Sequence, residues 1–348
     1  MNGEWLKLTA YLGERRRTGR KLVADELLDL YGRHGVAVSI LLRGSEGFGG
    51  RHRIRTDRLL TLSEDLPVVA VAVDTRARIL ALLDDVLEIR RHGLVTLERA
   101  QLLEGTADGL PEGAEHFEET KLTLYLGRHD RVSGTPGFVA VCDLLHRREV
   151  AGATVLLGVD GTLDGHRRRA RFLARNASVP LMIIAVGAGD RVAALLPELR
   201  RLAPERPMTL ERVRVCKRDG ALLSPPPSVS PRREDGLPVW QKLTVYTSAA
   251  ARHGGSPAHV ALVRGLREHG TRGATSLRGI WGFHGQAAPH GDRLLALGRN
   301  VPVMTVSVDS PPAVAAAFDV VDGVTRERGL VTAELVPTAL GHPGEAEY

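Results

Sequence analysis

Leu42-Arg43-Gly44-Ser45-Glu46-Gly47-Phe48-Gly49 returns as Leu277-Arg278-Gly279-Ile280-Trp281-Gly282-Phe283-His284. Between them lies a worn copy, Leu157-Gly158-Val159-Asp160-Gly161-Thr162-Leu163. Each is a Gly-x-x-Gly turn set directly after a strand-like apolar run. The turns are 114 and 121 residues apart, and other segments keep nearly the same step. Lys7-Leu8-Thr9-Ala10-Tyr11 matches Lys121-Leu122-Thr123-Leu124-Tyr125 and Lys242-Leu243-Thr244-Val245-Tyr246. Leu66-Pro67-Val68-Val69 matches Val179-Pro180-Leu181-Met182 and Val301-Pro302-Val303-Met304. Leu94-Val95-Thr96-Leu97-Glu98 matches Pro207-Met208-Thr209-Leu210-Glu211 and Leu330-Val331-Thr332-Ala333-Glu334. Four anchors in constant order mark internal repeats. A period above roughly 100 residues is domain-sized rather than solenoid-sized. The chain therefore divides into repeats at 1–104, 120–223 and 240–340, with linkers at 105–119 and 224–239.

Within repeat one, residues 5–12 alternate apolar and polar and predict a first strand. Residues 18–31 predict an amphipathic helix that Thr18 could cap. Residues 36–42 predict a second strand, 68–73 a third entered through Pro67 and led by 59–64, 75–91 a second helix, and 94–102 a last strand. In repeat two the first helix is placed at 135–148, with Pro136 at its first position. The order β-α-β-β-α-β is the split unit of ferredoxin-like domains, an α+β fold with a four-stranded antiparallel sheet and both helices on one face. The other face is partly apolar, which predicts that the repeats pack sheet against sheet or edge against edge.

The 348 residues carry a net charge of +6 and a pI near 9.7. Only five of the 47 basic residues are lysine. The 41 acidic residues are interspersed among them, as on an ordinary solvated surface. Aromatic residues make up only 4%, too few for base stacking, so specific nucleic-acid binding is not expected even from the run Arg167 to Arg171. Cys142 and Cys216 lack any metal or disulfide spacing. No apolar run approaches the length of a membrane span, and residues 1–7 lack a secretory pattern. These features predict a cytoplasmic protein with reduced thiols and no membrane insertion.

For chemistry, the Gly-x-x-Gly turns have two readings: a backbone cradle for an anion, or a strand-ending turn that needs glycine. Basic groups stand beside them: Arg43, Arg51, His52 and Arg53 in repeat one, and Arg278, His284, His290 and Arg293 in repeat three. None is followed by the Lys-Ser/Thr of a Walker loop. No nucleophile stands with a base, and the Glu64-Asp65 pair is absent from the other repeats, so no enzyme is expected. No metal site is expected either. The lysines that open the Lys-Leu-Thr-x-Tyr strands are expected in solvent. The proline-rich linker with its Arg232-Arg233 pair is expected to be stiff and exposed.

Several motifs together resemble one family. They are Lys7 to Gly13, Leu42 to Gly49, Leu62 to Val69 and Gly93 to Glu98, with weaker echoes in repeat two. They are similar to the domain-of-unknown-function 190 family, a branch of the PII-like signalling superfamily. The resemblance implies ferredoxin-like subunits assembled as a trimer, nucleotides bound in clefts between subunits, and a signal passed to a transporter, channel or enzyme. Three repeats in one chain then imply a monomeric chain acting as a pseudo-trimer. One departure is plain. PII proteins hold phosphates with a glycine- and lysine-rich loop before the last strand, where this chain has Arg90-Arg91-His92-Gly93, Ala203-Pro204-Glu205-Arg206 and Arg326-Glu327-Arg328-Gly329.

The expectation is thus a non-enzymatic regulator that binds a small anion, an adenine nucleotide among the candidates, in inter-repeat clefts. The residues expected to line them are Arg43, Gly44, Gly47, Phe48, Gly49, Arg51, His52, Gly158, Gly161, Arg278, Gly279, Gly282 and Phe283. The alternative is a ligand-free scaffold that binds a protein or a polyanion through its basic surface.

Overall fold

The computed structural model describes residues 4–49, 52–57, 65–90, 93–103, 117–163, 166–167, 179–285, 287–291 and 301–340. Unit one contains β1 (Trp5–Gly13), α1 (Val23–Arg33), β2 (Val38–Arg43), β3 (Pro67–Thr75), α2 (Arg76–Arg90) and β4 (Leu94–Leu103). Unit two contains β5 (Glu119–Gly127), α3 (Gly137–Arg147), β6 (Gly152–Leu157), β7 (Pro180–Ala188), α4 (Gly189–Leu202) and β8 (Met208–Arg212). Unit three contains β9 (Leu237–Ser248), α5 (Ala258–Glu268), β10 (Ala274–Arg278), β11 (Pro302–Asp309), α6 (Pro311–Val324) and β12 (Leu330–Leu340). In unit one the strands lie in the order β2-β3-β1-β4, all antiparallel. Units two and three repeat it as β6-β7-β5-β8 and β10-β11-β9-β12. The fold is mixed α and β, as the order of elements predicted.

Alternation along the first strand of each unit sorts its side chains between two cores. Leu6, Leu8 and Ala10 pack under α1 and α2. Leu122, Leu124 and Leu126 do the same under the helices of unit two, and Leu243 and Val245 in unit three. The opposite faces meet in a fourth core that all three units share. It includes Val69, Val71 and Val73, Met182, Ile184 and Val186, and Met304, Val306 and Val308. Fully burying one such side chain stabilises by about 1.5–3 kcal/mol. The bare sheet faces are therefore covered by each other.

Two sets of strand pairs run between the units. In the first, the short strand after each Gly-x-x-Gly turn adds to the second strand of a neighbour. Glu46–Phe48 pairs with β10, Asp160–Leu163 with β2, and Trp281–His284 with β6. In the second, the end of each last strand, or in unit two the strand that follows it, adds to the next unit's last strand. Gln101 to Leu103 pair with β8, Arg214–Arg218 with β12, and Thr338 to Leu340 with β4. Each set visits all three units and returns to its start. Side chains follow: Phe48 of unit one sits in the core of unit three, and Phe283 of unit three in the core of unit two.

Three local expectations are corrected. Helix α1 begins at Val23, and Thr18 belongs to a two-strand turn, Arg17–Thr18 against Lys21–Leu22, with its hydroxyl donated to the Ile89 carbonyl at 2.8 Å. Helix α3 likewise begins at Gly137, after the turn Arg131–Val132 against Thr135–Pro136. The linker before unit three is not all exposed coil: Arg233–Glu234 pairs with Leu237 and Pro238. The first linker, apart from residues 117–119, and the run Arg168 to Arg171 lie outside the described residues. So do 59–64. Among the described residues no helix is long and apolar enough to cross a membrane.

Candidate functional site

The lysines expected in solvent are buried. Because the first strands put Lys7, Lys121 and Lys242 on the shared face, the three ammonium groups converge where the sheets meet, with exposures of 7%, 3% and 6%. The glutamates of the last strands, Glu98, Glu211 and Glu334, converge with them. Lys7 reaches Glu98 at 2.5 Å and also bonds Glu211. Lys121 reaches Glu211 at 2.9 Å and bonds Glu334. Lys242 reaches Glu98 at 2.7 Å and Glu334 at 3.0 Å. Thr9 and Thr96 donate to Glu98, and Thr123 to Glu211, at 3.1–3.3 Å.

Three carboxylate oxygens within 4.8 Å have the spacing of a metal site. Here three ammonium groups already sit among them, so the set is neutral without an ion. Lysine suits this place because it is a compact point charge, whereas a planar guanidinium needs more room. Beside the ring is a cavity of about 50 Å³ walled by Lys7, Tyr11, Lys121, Lys242 and Tyr246, large enough for ordered water.

Burial opposes charge on Glu98, yet Lys242, Lys7 and Lys121 overcome it and hold its carboxyl well below the usual range. Glu334 is held low in the same way by Lys121 and Lys242. A carboxylate with a depressed folded value contributes stability that is complete above its unfolded value and is lost as pH falls through the folded one. The melting temperature is therefore expected to stay flat from pH 7 to about 5, then fall steeply toward about pH 3 as the unfolded chain takes up protons that the ring's glutamates still refuse. A melting series in matched salt checks this, and a flat profile down to pH 3 would refute it.

Between units one and three lies a cleft of about 1580 Å³. Seven arginines line it (Arg16, Arg17, Arg53, Arg55, Arg90, Arg233 and Arg272) against one acidic residue, Asp309. Arg90 stands out because it is only 3% exposed. One of its nitrogens bonds the Gly93 carbonyl, while Nε and Nη1 have no hydrogen-bond partner among the described residues. Burial pulls its guanidinium down to about 9. An unpaired buried charge is costly and calls for a counter-ion. The cleft also has apolar walls from Leu94, Trp240 and Val308, with the Arg272 guanidinium 5.0 Å over the Trp240 ring. Tyr11 borders both this cleft and the axial cavity.

The profile of the DUF190 family, described as Uncharacterized ACR, matches residues 5–102, 119–215 and 240–338. The chain belongs to the DUF190 family. Its three DUF190 repeats coincide with the three structural units, each holding one lysine and one glutamate of the buried ring.

Of the residues expected to bind ligand, Gly47, Phe48, Gly49 and His52 of the first DUF190 unit line the arginine-rich cleft, with His52 stacked on Phe48 at 5.8 Å. Arg43 is held by Glu14 through bonds of 2.6 and 2.9 Å. Arg51 lies outside the described residues. Gly158 and Gly161 sit where unit two meets unit one, and Gly279, Gly282 and Phe283 where unit three meets unit two. Arg278 ends β10, half-buried.

All three turns use their amides in the same way. Gly44, Gly158 and Gly279 donate to the carbonyls of Pro67, Pro180 and Pro302, at 2.7–2.9 Å. The next residues, Ser45, Val159 and Ile280, donate across to Ser276, Leu41 and Val155. Those amides are committed to protein carbonyls, so the groups the cleft offers an anion are chiefly side chains. Gly47 and Gly282 are glycine because the neighbour's strand passes too close: a Cβ would run into the carbonyl oxygen of Ala274 or of Ala153. His284 is not a cation at neutral pH, since burial pushes it down to about 4 although it donates to the Thr247 carbonyl at 3.0 Å, which alone would favour the charged ring.

Sequence reasoning missed Arg272 and Trp240, which carry no motif. It noted Arg90 only as a departure from the PII loop, and Arg233 only as part of a linker.

Proposed function

We propose that this DUF190 protein is a PII-like regulator, with three ferredoxin-like units closed into a covalent pseudo-trimer. It binds a small anion, an adenine nucleotide being the first candidate, in the cleft between units one and three. It is not an enzyme on this reading. The observation that carries the reading is Arg90, buried with two nitrogens that have no partner among the described residues, in a cleft of seven arginines. Ligand contacts to Gly49, His52 and Arg53 would set the path of the segment joining β2 to β3, which would present the signal to a protein partner such as a transporter, channel or enzyme.

A thermal-shift series with ATP, ADP, AMP and pyrophosphate, with light scattering on the same sample, tests this. A ligand at about 100 times its Kd adds about 2.7 kcal/mol to the native state, a rise of a few degrees for a chain this size. The mass should be that of one chain, 37.6 kDa. Arg90→Met should abolish the shift and raise the melting temperature of the ligand-free protein, because it removes an uncompensated buried charge. A purely structural Arg90 would show the opposite sign. No shift with any anion, together with salt-steep binding to polyanions, would replace this reading with the scaffold.

A further inference from the structure

The chain between units two and three reaches into the same cleft. Arg233–Glu234 and Leu237–Pro238 form a hairpin around Asp235-Gly236, and Arg233, Leu237 and Pro238 are part of the cleft wall. The turn is built for its shape: Asp235 and Gly236 both have positive φ, 51° and 76°, as a tight two-residue hairpin requires. It is fastened to unit one through Glu234 and Asp235. Asp235 takes Arg76 at 2.5 Å, and Glu234 takes Arg99 at 2.9 Å.

Arg233 spends its Nε and Nη2 on the Gly236 carbonyl, and Arg90 its Nη2 on the Gly93 carbonyl. Arg55 and Arg272, by contrast, have carboxylate partners in Asp65 and Asp309. Arg90, buried on unit one, and Arg233, exposed on the linker, both line this cleft, show no carboxylate partner among the described residues, and share an apolar wall from Leu94, Leu237 and Trp240.

We propose that this hairpin is a strap that completes the ligand site, and that the ligand carries at least two phosphate-type groups joined to an apolar body. Arg90 takes one anionic group and Arg233 takes another. Arginine suits both places because its planar fork matches phosphate oxygens. This rests on the cleft reading given under the proposed function, and it adds the linker to the site and the minimum charge to the ligand.

The test is calorimetric titration of the full chain with ADP, pyrophosphate and orthophosphate. The wild type is compared with Arg233→Gln and with the anchor variant Glu234→Gln/Asp235→Asn. Asparagine tolerates the positive φ at 235, and Arg233 and Asp235 are exposed and Glu234 half-buried, so ligand-free melting should stay within about 2 °C. The expected result is pyrophosphate at least about tenfold tighter than orthophosphate, ADP tighter still, and at least about tenfold weaker ADP binding in both variants. Variants that bind ADP within about twofold of wild type would overturn the strap. Orthophosphate binding as tightly as pyrophosphate would overturn the two-group ligand. A wild type that binds none of the three would remove the cleft reading itself, and this inference with it.

Discussion

Glu98→Gln is expected to cost about 3–5 kcal/mol of stability. Glu98 lies within 3.5 Å of all three ring lysines and is 4% exposed. Its neutralisation leaves two carboxylates against three ammonium groups, with room beside them for no more than a little ordered water. Breaking a buried ion network by removing one member is far more costly than removing it whole. Replacing all six members with apolar residues of similar size is accordingly expected to be neutral or stabilising. The ring's contribution is then specificity: only the arrangement that brings all six groups together balances the charge, which sets how the three sheets meet. Urea unfolding of the single variant and the sixfold variant checks both statements. A Glu98→Gln loss below about 1 kcal/mol would show that water enters the ring.

Phe283→Ala is expected to cost about 3–5 kcal/mol, the range for a buried aromatic cut to alanine. The location of the damage is the sharper expectation. Phe283 belongs to unit three but is fully buried in the core of unit two, with Leu145, Val155 and Leu195 in the same cluster. The His146 ring lies against it at 5.1 Å. Hydrogen exchange should therefore accelerate in α3 and β6 of unit two, and in the paired strand Trp281–His284, before it changes in α5 and α6. Faster exchange confined to unit three would contradict the interlocked cores. Gly282→Val should be at least as damaging, since φ is +149° and the Ala153 carbonyl leaves no room for a side chain.

The repeats, their element order and the bare apolar sheet face were legible because each rests on local periodicity. The packing of those faces against one another was legible too, but the charged ring between them was not, because a polar side chain at a strand start carries no sign of its destination. The lysines did carry a signal of another kind. In a chain that uses arginine almost everywhere, three of only five lysines occupy the same repeat position, always with a glutamate in the matching last strand. That rarity marks a place arginine cannot fill.

At the Gly-x-x-Gly turns, sequence alone does not separate an anion cradle from a close strand crossing, since both need glycine. Only the neighbouring unit's carbonyls distinguish them. The apolar spacing of the first helix runs on into a two-strand turn, so the pattern points to Thr18 where the helix starts at Val23. The Asp235-Gly236 dipeptide was a readable hairpin signal inside a stretch that its prolines made look like plain linker.

The most direct test of the anion cleft is anomalous diffraction from crystals soaked in tungstate, a heavy analogue of phosphate. The account predicts the strongest site in the cleft between units one and three, within hydrogen-bond reach of Arg90, and its loss in Arg90→Met crystals. Tungstate bound elsewhere on the surface, with the cleft beside Arg90 vacant, would contradict it.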